Sequence, residues 1–193
     1  MHPYTFDIRT LFCYANKKEV FKMSFYELAK SRWSVRAYKN TPIEEEKLQL
    51  ILEAGRVAPT AKNYQPQRIY VVKSPEALQK LKTVCDCIFD APLVLVVAYD
   101  QERVCLSKMM PGQDSGKKDV SIVCTHMMLQ AWELGIGSCW VGLFNDDQVG
   151  EILGLPKHHR VVTLMPMGYP ADDAKPLNLH FQYRDMSDMV QEL

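Results

Sequence analysis

Between Ala91 and Tyr99 the chain reads Ala-Pro-Leu-Val-Leu-Val-Val-Ala-Tyr, an almost unbroken apolar run. A strand with one wet face alternates polar and apolar residues, so a run like this suits a strand covered on both faces. It is about half the roughly 18–20 residues of a membrane span and contains a proline, which makes it a core strand. Such a strand demands helices above and below it, and the flanking sequence supplies them. Thr41-Pro42-Ile43-Glu44 predicts a helix start, with threonine as N-cap, proline at the first helical position and glutamate closing a capping box. Leu48, Ile51, Leu52 and Gly55 follow at helical spacing. Ser74-Pro75-Glu76 opens another helix, with Leu78, Leu81 and Cys85 inward. A long helix is predicted from about Lys117 to Leu134, with Val120, Val123, Met127, Ala131 and Leu134 as its core stripe and Gly135 placed to end it. Shorter helices are predicted over 24–31 and around Asp147–Leu153, the second ending at Gly154. Strands are predicted at Ile69–Val72, Gly137–Phe144 and Val161–Tyr169.

Helices interleaved with strands, some buried on both faces, predict a helix–sheet–helix sandwich. A chain of 193 residues, 47% of them hydrophobic, is long enough for one domain with a full core. Its 23 basic and 23 acidic side chains lack the cationic excess that a nucleic-acid binder needs. The six cysteines, at 13, 85, 87, 105, 124 and 139, include no C-x-x-C pair, which suits free thiols in a reducing cytoplasmic setting. With Cys105, Cys124, His126 and the His158–His159 pair as the only spare ligands, no zinc pattern forms and no metal site is expected. Residues 1–22 have neither the apolar core of a signal peptide nor the composition of a transit peptide. A native N-terminal arm and a start codon placed too early both remain open for them, and the domain is expected over 23–193.

Several motifs fail on their own terms. Gly112-Gln113-Asp114-Ser115-Gly116-Lys117-Lys118 is one residue short of a phosphate-binding loop and lacks the hydroxyl residue after its lysine. Gly135-Ile136-Gly137 follows a helix and lacks the third glycine of a dinucleotide fingerprint. Ser138-Cys139 has no general base beside it. His126 reads as a packing residue, His158 and His159 as solvated loop residues, and Asp146-Asp147 as helix N-cap chemistry.

Three polar clusters lack an easy structural role. Ser31-Arg32-Trp33-Ser34-Val35-Arg36 could be a solvated helix end, or a phosphate site in which guanidinium forks and a hydroxyl converge. Ala58-Pro59-Thr60-Ala61-Lys62-Asn63-Tyr64-Gln65-Pro66 could be an ordinary loop, or an edge whose amides match a heterocycle with donors and acceptors. Gly135–Gly142 could be a helix stop and core strand, or a backbone surface that a flat ligand approaches.

R-x-S-x-R, A-P-T-A-K-N-Y-Q-P, G-I-G-S-C-W-V-G and L-M-P-M-G-Y-P occur in that order, and together they closely resemble the nitroreductase family of FMN-dependent oxidoreductases, over roughly residues 24–193. The resemblance implies an α+β sandwich around a central mixed sheet and an intertwined homodimer with FMN at the interface. The C-terminal tail would be exchanged with the partner subunit. Within Arg32-Trp33-Ser34, Arg32 and Ser34 would hold the FMN phosphate and ribityl chain, joined by Arg184 from the tail. Arg36 would face the flavin edge where negative charge grows on reduction. Pro59, Thr60, Asn63 and Gln65 would be lent by the other subunit, and the backbone of Cys139, Trp140, Val141 and Gly142 would line the ring. No catalytic side chain is implied, because the flavin carries electrons from NAD(P)H to a nitroaromatic, quinone or similar small-molecule acceptor by ping-pong turnover.

Departures from the family pattern bear on packing and substrate, and at Trp33 they remove one possible phosphate contact. Trp33 stands where a basic residue or histidine is common, Gln67 where tryptophan is common, and the short stretch from Leu81 to Ala91 leaves little room for a covering helix. The acceptor pocket is therefore expected to be open or capped by the 100–118 loop. A flavoprotein of the same fold with a non-nicotinamide reaction, or a flavin store or sensor, is the alternative reading.

Overall fold

The computed structural model describes residues 23–109 and 111–193; the expected extension over 1–22 lies outside the described residues, as does Met110. In chain order the elements are α1 (Phe25–Ser31), α2 (Glu45–Arg56), β1 (Gln67–Val72), α3 (Pro75–Lys82), β2 (Leu93–Asp100), α4 (Gly116–Glu133), β3 (Gly137–Ser138), α5 (Asp146–Leu153), β4 (His159–Gly168) and α6 (Met186–Met189). The sheet order is β1-β2-β4-β3. All three strand ladders are antiparallel, and the expected mixed character enters only through one parallel bridge, Ser34 to Ser138.

Every residue of β2 is buried, as its apolar run requires. Leu93, Leu95, Val97 and Tyr99 face one layer, where they meet Leu48 and Ile51 of α2 and Val120, Val123, Met127 and Ala131 of α4. Val94, Val96 and Ala98 face the other, against Leu81, Ile88 and Val149. Alternation along one strand thus divides the interior into two cores, and the result is an α+β sandwich with helices on both faces of the sheet. A register shift at Val97/Ala98 pairs Ala98 with Val161 after Val97 has paired with Thr163. That bulge lets Val161 and Leu164 share one face of β4 despite their odd spacing.

Local chemistry accounts for most boundaries. Ser24 caps α1 through a full capping box with Glu27, and Ser74 caps α3. Gly135 and Gly154 end α4 and α5 with φ of 77° and 67°, the left-handed region in which a side chain is strained. The capping box expected at Thr41 does not form, and α2 begins at Glu45 with Glu44 as its N-cap. The Glu44 carboxylate instead accepts from the Tyr169 hydroxyl and pairs with Lys47, so it is held toward the end of β4 and cannot fold back on Thr41. The N-cap of α5 is Asn145, whose side chain accepts from Gln148 N–H, while Asp146 and Asp147 lie in the first turn. The strand expected over Gly137–Phe144 stops at Ser138. Beyond it, pairing with β4 continues only through Cys139 N–H to the Pro166 carbonyl and the Val141–Leu164 bridge.

Candidate functional site

The Arg32–Arg36 segment leaves α1 extended and lies beside β3. Val35 N–H donates to the Ser138 carbonyl at 3.0 Å, next to the Ser34–Ser138 bridge. Gly137 makes this approach possible, since a Cβ there would lie 2.5 Å from Val35 Cγ2 and 2.8 Å from its Cβ. Two of the three sequence clusters therefore meet: Arg32, Ser34 and Arg36 stand against the turn carrying Cys139, Trp140, Val141 and Gly142. Arg36 Nη1 donates to the Ser34 carbonyl at 3.0 Å, which holds its guanidinium back along the segment. Trp33 packs edge-on against Trp132 near the end of α4, and the Trp132 indole N–H donates to the Ser31 hydroxyl.

Among the described residues neither Arg32 nor Arg36 has a carboxylate partner. Two uncompensated guanidiniums beside a serine hydroxyl and a glycine-bearing turn suit a flat ligand that carries a phosphate, so the donor set fits FMN. Burial pushes the Cys139 thiol up, against the pull of Arg36 and a hydrogen bond from Ser34.

The third cluster lies elsewhere. Ala61 N–H donates to Asp119 Oδ1 at 2.8 Å, and the Ser115 hydroxyl donates to Asp119 Oδ2 at 2.7 Å. These bonds moor the 58–66 loop to the first turn of α4. Lys62, Asn63 and Gln65 adopt left-handed φ of 51°, 55° and 49°, a tight form secured by Gln65 N–H donating to the Thr60 hydroxyl. Pro59, Asn63 and Gln65 are exposed and Thr60 is half-buried. The arginine segment contacts α4 at Trp132, about 20 Å farther along the helix at ~1.5 Å per residue. One chain therefore holds this loop away from the arginine segment. The 100–118 hairpin, closed by Leu106–Asp114 and Cys105–Ser115 contacts, sits at the same end of α4 as the 58–66 loop.

Arg184 is exposed in the tail. Ala171 N–H donates to the Ala37 carbonyl and Lys39 pairs with Asp172, which moors the start of the tail. Beyond it Leu177, Leu179, Phe181, Tyr183, Met186, Met189 and Val190 are all exposed.

His126 is half-buried and its Nδ1 is hydrogen-bonded to the Ile122 carbonyl, a satisfied helix residue as expected. The five described cysteines are free thiols. The expectation of solvated histidines after Pro156 is corrected: the His159 side chain is only 10% exposed, because it opens β4 and packs between Tyr70 and Asp100. The sequence reading also missed Asp119, whose position in the first turn of a helix gave no sign that it moors a distant loop. Gln67 Oε1, at one of the departures noted above, is buried without a hydrogen-bond partner among the described residues.

Comparison with known proteins gives one consistent result. The model of the nitroreductase family matches residues 29–87 and 83–169. A nitroreductase family protein of Clostridium difficile 630 superposes with a TM-score of 0.81 at 38% identity, over 88% of this chain and 98% of that one. An FMN-dependent nitroreductase of Clostridium difficile R20291 gives a TM-score of 0.70 at 28% identity, over 86% and 96% of the two chains. A Thermus thermophilus protein named NADH dehydrogenase is 30% identical over 77% of this chain and 87% of its own length.

Proposed function

The chain belongs to the nitroreductase family of flavin oxidoreductases, and on that premise we propose that it binds FMN and takes electrons from NAD(P)H to reduce nitroaromatic, quinone or similar electron-poor acceptors. The observation that carries this reading is the meeting of Arg32, Ser34 and Arg36, unpaired with any described carboxylate, with the Cys139–Gly142 turn. When bound, FMN would supply the hydride and electron transfer that a ping-pong exchange between NAD(P)H and the acceptor requires. Arg32 and Ser34 hold the phosphate and ribityl end. Arg36 sets a fixed cation where the cofactor gains negative charge, which raises its electron affinity. The turn around Trp140 and Val141 offers backbone groups to the ring, and no side chain is assigned an acid–base step.

The site is completed by a second copy of the chain over residues 23–193. Pro59, Thr60, Asn63 and Gln65 come from the partner, because in a single chain the contact points of their loop and of the arginine segment on α4 lie about 20 Å apart along the helix. The exposed apolar side chains of the tail call for cover, and so does the apolar groove between α1, α2 and α4 lined by Phe25, Leu28, Leu50, Ala54, Val57 and Leu129. Among the described residues β1 pairs only with β2, so its outer edge offers backbone groups to an incoming segment. Exchange of the tail between subunits satisfies these needs together and brings Arg184 to the phosphate. Among the described residues no helix is long and apolar enough to cross a membrane.

The test is the visible spectrum of the purified protein, anaerobically, with and without NADH or NADPH, together with identification of the released flavin. A yellow protein that releases FMN and bleaches on addition of either nucleotide is the expected result. Flavin that stays oxidised would favour a non-nicotinamide reaction or a flavin store, and a colourless protein that takes up no FMN would overturn the reading.

A further inference from the structure

At the far end of the β2–β4 ladder, Asp100 and His159 are directly opposed cross-strand partners. His158 precedes them in the turn closed by His159 N–H donating to the Pro156 carbonyl, and its ring meets the His159 ring edge-on with centroids 4.5 Å apart. The two imidazoles and the carboxylate each offer a ligand atom, and these atoms all lie within 4.8 Å of one another. His159 Nε2 is 3.8 Å from Asp100 Oδ2. Tetrahedral zinc with bonds of about 2.0–2.2 Å spaces its ligand atoms by roughly 3.3–3.5 Å, so closure onto an ion needs only small side-chain adjustment.

Two surrounding features point the same way. The Tyr70 hydroxyl is hydrogen-bonded to His159 Nδ1, the outer contact that commonly fixes the ring of a metal-bound histidine and turns its other nitrogen inward. The Asp100 carboxylate is buried and oriented: Oδ1 accepts from Glu102 N–H at 3.0 Å and Oδ2 from Arg68 Nη2 at 2.7 Å, which leaves Oδ2 a second lone pair on the side of His159. Arg68 and Arg103 both pair with the Asp100 carboxylate and offset its charge. That balance suits an ion held by imidazole nitrogen better than magnesium or calcium, which rely on several anionic or carbonyl oxygens.

We propose that Asp100, His158 and His159 bind a divalent transition-metal ion of the zinc class, with water as the remaining ligand and Tyr70 as the outer partner of His159. This departs from the sequence expectation of no metal site, and it stands independently of the flavin site.

The test uses untagged protein as purified, exchanged out of chelator. It is titrated with Zn²⁺ and followed by metal analysis after gel filtration, then with Co²⁺ followed by visible d–d absorption. One saturating ion per chain is expected, with a four-coordinate Co²⁺ spectrum. His158→Ala, which removes the ligand in the turn outside the strand, should weaken binding at least about tenfold with an unchanged circular dichroism spectrum. Tyr70→Phe should weaken it by about tenfold through loss of the outer contact. Zinc uptake undiminished in His158→Ala overturns the proposal, as does the absence of saturable binding by the unsubstituted protein.

Discussion

Replacing Gly137 by alanine tests whether the arginine segment depends on its close approach to β3. The backbone at Gly137 has an ordinary conformation, so the substitution adds a steric conflict alone. Its new Cβ would lie 2.5, 2.8 and 3.1 Å from Val35 Cγ2, Cβ and Cγ1, against the roughly 3.5–4.0 Å of normal carbon contact. Rotation of Val35 does not relieve the contact with its own Cβ, and the side chain is fully buried. The segment therefore has to shift by about 1 Å, and overpacking of this kind costs about 1–3 kcal/mol. At roughly 2–4 °C per kcal/mol for a chain of this size, the thermal midpoint should fall by about 2–12 °C. Because Ser34 and Arg36 move with Val35, retention of FMN should fall as well, measured by flavin fluorescence on dilution. Combining Gly137→Ala with Val35→Gly, which removes the conflicting Cβ as well, should cost less than the sum of the two, a favourable coupling within the roughly 0.5–3 kcal/mol seen for touching residues. An unchanged midpoint and unchanged FMN affinity in Gly137→Ala would refute the steric argument, and strict additivity would refute Val35 as the group displaced.

Asp119→Ala should cost about 1–3 kcal/mol by leaving Ala61 N–H and the Ser115 hydroxyl without their acceptor. Faster amide exchange across 59–66 is the readout, and unchanged protection there would deny Asp119 its mooring role. Arg36→Ala should leave FMN more weakly bound and harder to reduce, and an unaltered potential would remove the role given to its cation. Arg184→Ala should weaken FMN retention several-fold with little change in the melting of the flavin-free protein, since Arg184 is exposed in the single chain; an unchanged dissociation constant would argue against the tail as a phosphate clamp. Burial, aided by His158 and Arg68 and opposed by Asp100 and Glu102, holds His159 below its ordinary value of 6.5. The unfolded chain then takes up a proton first as pH falls, so stability should decline below about pH 6.5 and level off once the folded imidazole titrates. Denaturation midpoints in chelator should show a shallower decline for His159→Gln, and an identical slope would count against this assignment.

The buried strand, the long helix with its stripe and both glycine stops were legible because each rests on chemistry within a few residues: apolar continuity, helical spacing and freedom at positive φ. The α2 start was misread because Glu44 is claimed by Tyr169, a residue distant in the chain, and no local pattern reveals such a competitor. The strand after Gly137 was read too long, since its composition suits a strand while Thr163 and Leu164 engage only isolated groups around Val141. The family resemblance grouped the arginine segment with the Cys139–Gly142 turn and assigned the 58–66 loop to the other subunit, but no local pattern revealed that one chain sets this loop at the other end of α4. For the Asp100 cluster a signal did exist. A carboxylate placed directly after a fully buried run needs partners, and antiparallel pairing supplies them from the start of the last strand.

The length of α4 between its two moorings also has a genetic consequence. If each cofactor site is built, as proposed, from the arginine segment of one chain and the 58–66 loop of the other, damage to the two halves falls on different sites when the variants are mixed. A chain altered at Arg32 and Arg36 and another altered at Asn63 and Gln65 would each be inactive alone. A heterodimer of the two concentrates all the damage in one site and leaves the other wholly intact. Two null alleles in one cell would then restore activity, with about half of the chains in mixed pairs at random assortment and one working site in each.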